Sequence, residues 1–286
     1  MLVIIGYVVV VGAVLGGFMM TGGHLAILWQ PVEVLIIGGS ALAAFAVSSG
    51  VKTLKATMGT IPKVLGGSPY DKTMYMETLT LLSDIFNKAR RDGLMSIEDD
   101  IENPESSTLL QKAPKVLKDH HAVEFITDYL RLMVSGNLDS HELDNLMDLE
   151  IETHHHEALK PVDAVRKLAD GLPAFGIVAA VLGVVHTMES VSIPPAELGK
   201  LIAAALVGTF LGILLAYGFV SPVANLMEVH VDESTKYFQT IKSGMIAFVN
   251  GSPPPTAVEF ARKVAYSTER PSFLELEEHL RNAKGG

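Results

Sequence analysis

The sequence predicts an all-α, polytopic membrane protein with four transmembrane helices and a largely helical domain outside the lipid. Three observations carry that prediction. Residues 2–20, 34–49, 172–188 and 201–221 form apolar runs with no Asp, Glu, Lys or Arg, and a hydrocarbon core about 30 Å thick takes about 20 residues of helix. Residues 52–170 between the second and third runs are hydrophilic and densely charged. A mean hydropathy of +0.34 with 19% charged residues fits a chain half in lipid better than a globular enzyme.

Each element follows from local chemistry. The first run contains Gly12 and Gly16 at GxxxG spacing, and the second is rich in Gly38, Gly39, Ser40, Ala43 and Ala44. In the fourth, Ala204, Gly208, Gly212 and Ala216 recur every four residues, a small face on which a second helix can pack closely, within or between subunits. In the charged region, Leu82, Ile85, Phe86 and Ala89 share one helical face, and Ile126, Leu130, Met133 and Val134 share another. Gly93 ends the first of these helices, and Ser96 with Asp99 reads as a capped restart. Residues 140–169 read as a polar helix, with Pro161 expected at a kink or boundary.

The fourth span is expected to continue through residues 223–249, which hold no Pro and only Gly244 among glycines. Gly251-Ser-Pro-Pro-Pro255 breaks it. Thr256 with Glu259 and Ser272 with Glu275 have capping-box spacing, so two short helices should close the chain. The organisation is then residues 1–51 as two spans, 52–170 as a helical domain, 171–221 as two more spans and 222–286 as a helical tail.

Charge sets the expected orientation. Residues 51–170 carry 14 Lys and Arg, residues 222–286 carry 7, and the links 21–33 and 189–200 hold only Lys200. The positive-inside rule places the large loop, the tail and both termini in the cytoplasm. Nothing basic precedes the first run and no small-residue cleavage site follows it, so it reads as a retained span. Without cysteine, disulfides and thiolate zinc sites are excluded. A net charge of −10 argues against nucleic acid as a partner.

Three groups of residues merit attention. Thr209, His186 and Thr187 are polar residues within the spans; a Thr in a membrane helix ordinarily bonds its own backbone, but Thr209 adjoins the small face at Gly208. Pro173 and Pro222 stand at the inner ends of the third and fourth spans, a collar through which membrane events could be passed on. His154, His155 and His156, with His120 and His121 upstream, project about 100° apart on a helix, so they read as a solvated face and not a metal site. No catalytic triad, phosphate loop or dinucleotide fingerprint is present, and an enzyme is not expected.

Several segments resemble the MotA/PomA family of flagellar stator proteins: Leu2-Val-Ile-Ile-Gly-Tyr7, Thr21-Gly-Gly-His24, Ala89-Arg-Arg-Asp-Gly-Leu-Met-Ser-Ile-Glu98 and Pro173-Ala-Phe-Gly-Ile-Val-Ala-Ala-Val-Leu-Gly183. The resemblance runs over essentially the whole chain. It implies an inner-membrane ring of five subunits around MotB, whose single span brings an essential Asp and whose outer domain anchors to peptidoglycan. It also implies that Arg90 and Glu98 contact the rotor protein FliG, that Pro173 and Pro222 serve conformational coupling, and that Thr209 lines the ion pathway. Sodium-driven relatives tend to carry a second Thr where this chain has Ala180, which cannot coordinate a hard ion. The expected ion is therefore H+, with Na+ less favoured and no cofactor.

Two other readings compete. ExbB and TolQ proteins also surround an Asp-bearing partner, but they have three spans and lack the Arg-Arg-Asp-Gly segment. A secondary transporter would show internal repeats and broken helices, and neither is visible.

Overall fold

The computed structural model describes residues 2–136, 139–189 and 194–284. Among them every regular element is helical. Apart from the short 3-10 turns Leu25–Leu28, Leu94–Ile97 and Leu110–Lys112, these are in chain order α1 (Leu2–Met20), α2 (Pro31–Leu65), α3 (Lys72–Asp92), α4 (Glu98–Glu102), α5 (Pro114–Lys118), α6 (His120–Ser135), α7 (Ser140–Glu189), α8 (Pro195–Ile213), a π-helical segment Leu214–Val220, α9 (Ser221–Val249), α10 (Pro254–Val264) and α11 (Phe273–Lys284). They gather into two compact units, residues 1–67 with 158–230 and residues 68–157 with 231–286.

The first unit contains the four apolar runs, each on a helix long and apolar enough to cross a membrane. α1 buries none of its residues within the chain, as expected for a helix that is apolar all round and meets lipid or other subunits. α2 opens on Pro31, whose missing N–H costs nothing at a first helical position. Gly50, at φ 68° and ψ 165°, interrupts it where the apolar run ends. A small core of Ile37, Ala41, Leu172, Ala179 and Ala216 joins α2, α7 and the π-helical segment. Arg166 on α7 and Glu228 on α9 form an ion pair in the same unit.

α7 is helical through both Pro161 and Pro173, so Pro161 marks no boundary. Flanking turns hold the backbone in place while a proline forgoes one hydrogen bond. The fourth apolar run continues into α9 as expected, but by way of the π-helical turn. There the Ser221 N–H donates to the carbonyl of Ala216, five residues back. Pro222 has no N–H to return the next bond to the ordinary spacing. Tyr7 of α1 donates its hydroxyl to the Phe219 carbonyl at 2.8 Å, and the two rings lie 4.9 Å apart.

The second unit packs a continuous core from α3, α6, α9 and α10, with Leu82, Phe86, Ile126, Tyr237, Ile241 and Met245 among its buried members. Phe86 stacks on Phe248 at 4.4 Å. Both apolar faces expected from spacing are used, with Val134 only partly buried. Two expected caps are not formed. Ser96 lies inside a 3-10 turn (Leu94–Ile97) and its hydroxyl donates to the Gly93 carbonyl at 2.6 Å, leaving Ile97 to precede α4. α10 begins at Pro254, ahead of Thr256, and Glu259 pairs with Arg262 instead. Ser272 and Glu275 do form the reciprocal box that opens α11, at 2.7 and 3.2 Å.

Candidate functional site

In the membrane unit the sequence builds a seam from glycine and alanine. A Cβ on Gly176 would stand 2.8 Å from the Gly208 carbonyl oxygen, 3.1 Å from the Gly212 Cα and 3.4 Å from the Thr209 Cα. A Cβ on Gly212 would meet the Leu172 carbonyl oxygen at 2.6 Å, and one on Gly183 would meet the Ala205 Cβ at 2.7 Å. Backbone rests on backbone at Gly176 and Gly212 and on an alanine methyl at Gly183, which is how apolar helices associate where no hydrophobic drive exists. Ala205 is buried and Ala204 is half-buried, so the face runs Ala205, Gly208, Gly212, Ala216, one residue off the strict four-residue ladder at its start.

Thr209 and Ala180 both border this contact. The Ala180 backbone nitrogen lies 3.1 Å from where a Cβ on Gly208 would stand, and Thr209 follows Gly208 directly. Both residues are partly exposed, so each presents surface beyond the seam. Pro173 is half-buried three residues before Gly176, and Pro222 is exposed at the second position of α9. Thr187 donates to the carbonyl of Gly183 at 2.8 Å, the ordinary behaviour of a membrane threonine. His186 is exposed beside Glu189 at 3.8 Å.

One residue at this seam lies outside the apolar runs read from sequence. Glu33 is the third residue of α2 and retains only 9% of its accessible surface. Its Oε2 is buried without a hydrogen-bond partner among the described residues. The second apolar run, 34–49, begins one residue past it, so the helix that carries that run does hold a carboxylate. The signal was present in Gln30-Pro-Val-Glu33: a proline that opens a helix places Glu33 in its first turn.

In the second unit, Arg90 lies in the last turn of α3, which Gly93 ends at φ 87°. Glu98 opens α4. Both side chains are exposed, and among the described residues neither enters an ion pair, whereas Arg91 is held by Asp92 at 2.7 Å. Arg90 also borders a cavity of about 300 Å³ lined by Ala89, Leu94, Met133, Phe248 and Val249.

The histidines face different partners, as their angular spacing requires. His154 sits half-buried 5.1 Å from the Phe238 ring and 5.6 Å from the His121 ring, so it is not part of a solvated face. Burial, and then the neighbouring His121, push its imidazole below the ordinary value. His155 shares a hydrogen bond with Thr235 at 2.9 Å, and His156 lies 3.6 Å from Glu152. Elsewhere in this unit, Lys242 is gripped by Asp144 at 2.8 Å and Asp148 at 2.6 Å.

Comparison with known proteins covers both units. Residues 4–93 match the family described as motility protein A N-terminal, and residues 117–240 match the MotA/TolQ/ExbB proton channel family. Motility protein A of Salmonella typhimurium is 52% identical, covering 98% of this chain and 95% of that protein. Its counterpart in Escherichia coli is 50% identical, covering 99% and 96%. Chemotaxis protein LafT of Vibrio parahaemolyticus is 35% identical over 98% and 99%. Two solved structures share the fold: MotAB of C. jejuni, with a TM-score of 0.79 at 20% identity over 95% of this chain and 98% of that one, and the flagellar MotAB stator complex of Bacillus subtilis, with a TM-score of 0.73 at 22% identity over 98% of each. With near-complete coverage at about half identity, the chain belongs to the motility protein A (MotA) family.

Proposed function

We propose that the protein is the membrane subunit of the flagellar stator, which with MotB couples proton flow to torque on the rotor protein FliG. The observation that carries this reading is the match to motility protein A over nearly the whole chain, membrane helices and helical unit alike. Four membrane-length helices favour it over the three-span ExbB and TolQ proteins. The chain supplies a path and a lever, and its chemistry is ion conduction, not bond making.

In this reading five copies surround MotB in the bacterial inner membrane, with both termini in the cytoplasm, and α1's unburied apolar surface meets lipid and neighbouring copies. MotB brings the Asp that takes up the ion. Thr209 and Ala180, partly exposed next to the Gly208 contact, border the path. The Ala180 methyl offers no oxygen to Na+, which favours H+. Each charge crossing yields about 2.3 kcal/mol per 100 mV, so torque is built from many small steps. Pro173 and Pro222 pass the resulting movement on, and the unpaired Arg90 and Glu98 present charges to an acid and a base on FliG. Such exposed contacts are weak and screened over about 10 Å, which suits a surface that engages and releases repeatedly.

Complementing a strain that lacks its own subunit tests this. Swimming should be restored only when MotB is present, and its speed should follow the proton gradient and ignore external Na+. Speed that follows Na+ would keep the stator and reject the Ala180 argument; no rescue with MotB present would reject the stator.

A further inference from the structure

The seam that holds Thr209 and Ala180 also holds a carboxyl belonging to this chain. Glu33 stands in the first turn of α2 with 9% of its surface accessible and its Oε2 unpartnered among the described residues. The pocket around it is shaped by missing side chains. A Cβ on Gly208 would lie 2.8 Å from Oε2, and one on Gly183 would lie 3.7 Å from Oε1. The same Gly208 position is 3.1 Å from the Ala179 Cβ and from the Ala180 backbone nitrogen. Glycine at 208 therefore gives the carboxyl its space as well as letting α7 and α8 touch.

No ion pair includes it among the described residues, and His24, the titratable group of the preceding 21–30 link, is exposed. The nearest ionisable side chains along α7 are His186 and Glu189, and along α8 Glu197 and Lys200; all four are exposed, and His186 lies beside Glu189. α2 itself carries no other charged residue before Lys52. An unpaired charge within a span is costly, and ionisable groups that persist there mark ion paths and proton relays. A purely structural role, an acid complementing the helix N-terminus, is served as well by a solvated Glu and does not require burial against two glycines.

We propose that Glu33 is a proton-binding site of this chain, a relay carboxyl that takes a proton from water on the side of the 21–30 link and passes it toward the Thr209 and Ala180 surface. The step is a simple transfer: the carboxylate accepts a proton from hydronium to become the neutral acid, then gives it to the next acceptor and becomes carboxylate again. The proposal rests on the stator reading, since it needs a conducting complex.

The test uses the complex with MotB. In vesicles of phosphatidylethanolamine and phosphatidylglycerol, infrared difference spectra between acid and alkaline buffer should contain a buried carboxylic-acid band that is lost in Glu33→Gln and shifted in Glu33→Asp. In the complemented strain, Glu33→Gln should slow swimming at least fivefold at normal expression, and Glu33→Asp should retain more speed than Glu33→Gln. Identical infrared spectra for wild type and Glu33→Asp would overturn the proposal even if Glu33→Gln failed to assemble. So would Glu33→Gln swimming within twofold of wild type. Failure of the wild-type chain itself to restore swimming would instead sink the stator reading, and this proposal with it.

Discussion

The carbonyl oxygen of Gly208 lies 2.8 Å from the point where a side chain on Gly176 would begin. At this point α7 and α8 meet backbone to backbone, and that contact fixes where Thr209 and Ala180 stand. A methyl at Gly176 must push one backbone off the other, and one at Gly208 would first meet the Glu33 carboxylate.

Gly176→Ala should accordingly destabilise the purified complex by about 1–3 kcal/mol, the usual cost of overpacking a filled contact, and should reduce motility. Gly12→Ala and Gly16→Ala make a useful contrast, because among the described residues nothing beyond the adjacent backbone of α1 lies within 4 Å of either added Cβ. Thermal melting of the two sets checks this; equal melting temperatures would remove the seam argument.

Arg90→Glu should impair swimming several-fold and leave stability within about 0.5 kcal/mol, since the side chain is exposed and takes no ion pair among the described residues. Proton leak into cells expressing the complex should not change. Leak and torque lost together would place Arg90 in the conduction path and not at the rotor.

Pro173 lies inside a continuous helix, where proline costs about 3 kcal/mol relative to alanine. Pro173→Ala should therefore raise the melting temperature of the complex while abolishing torque. A fully motile, stabilised variant would end its assignment to coupling.

His154 supplies a pH dependence. Burial first, and then His121, hold its imidazole below the ordinary 6.5, so the unfolded chain binds more protons than the folded one just below that value. Stability contributed by neutral His154 is complete above about pH 6.5 and is lost as pH falls toward the depressed folded value. Denaturant midpoints between pH 8 and 5.5 should fall with acid in the wild type and fall less in His154→Phe.

What the sequence disclosed and what it hid have physical reasons. Apolar runs and small-residue spacing are properties of single helices, so the four spans and the Gly208–Gly212 face were legible. Leu82 and Phe86 were equally plain, because burial on one face imposes its own period. Glu33 was hidden because hydropathy ends a span at the first charge, whereas Pro31 begins the helix two residues earlier. The Ser96 and Thr256 caps were misplaced for a related reason. A three-residue spacing is common by chance, and only neighbouring backbone decides where a helix starts. Thr209 drew notice from the small face beside it, whereas Ala180 was singled out only through family resemblance, since an alanine carries no local signal.

The π-helical segment has a consequence for how this sequence can change over time. With bonds reaching five residues back near Ser221, residues 214–220 accommodate about one more residue than an α-helix of the same path would need. Deleting any one of them would let the chain relax into ordinary α geometry, and Pro222, Ala224, Met227 and Glu228 would then swing roughly 100° about the axis. Arg166 would lose Glu228, and Phe219 would leave Tyr7. Substitutions can be sampled here one at a time with graded effects. A change in length cannot, so residue count between Ile213 and Ser221 is itself an inherited trait of the molecule.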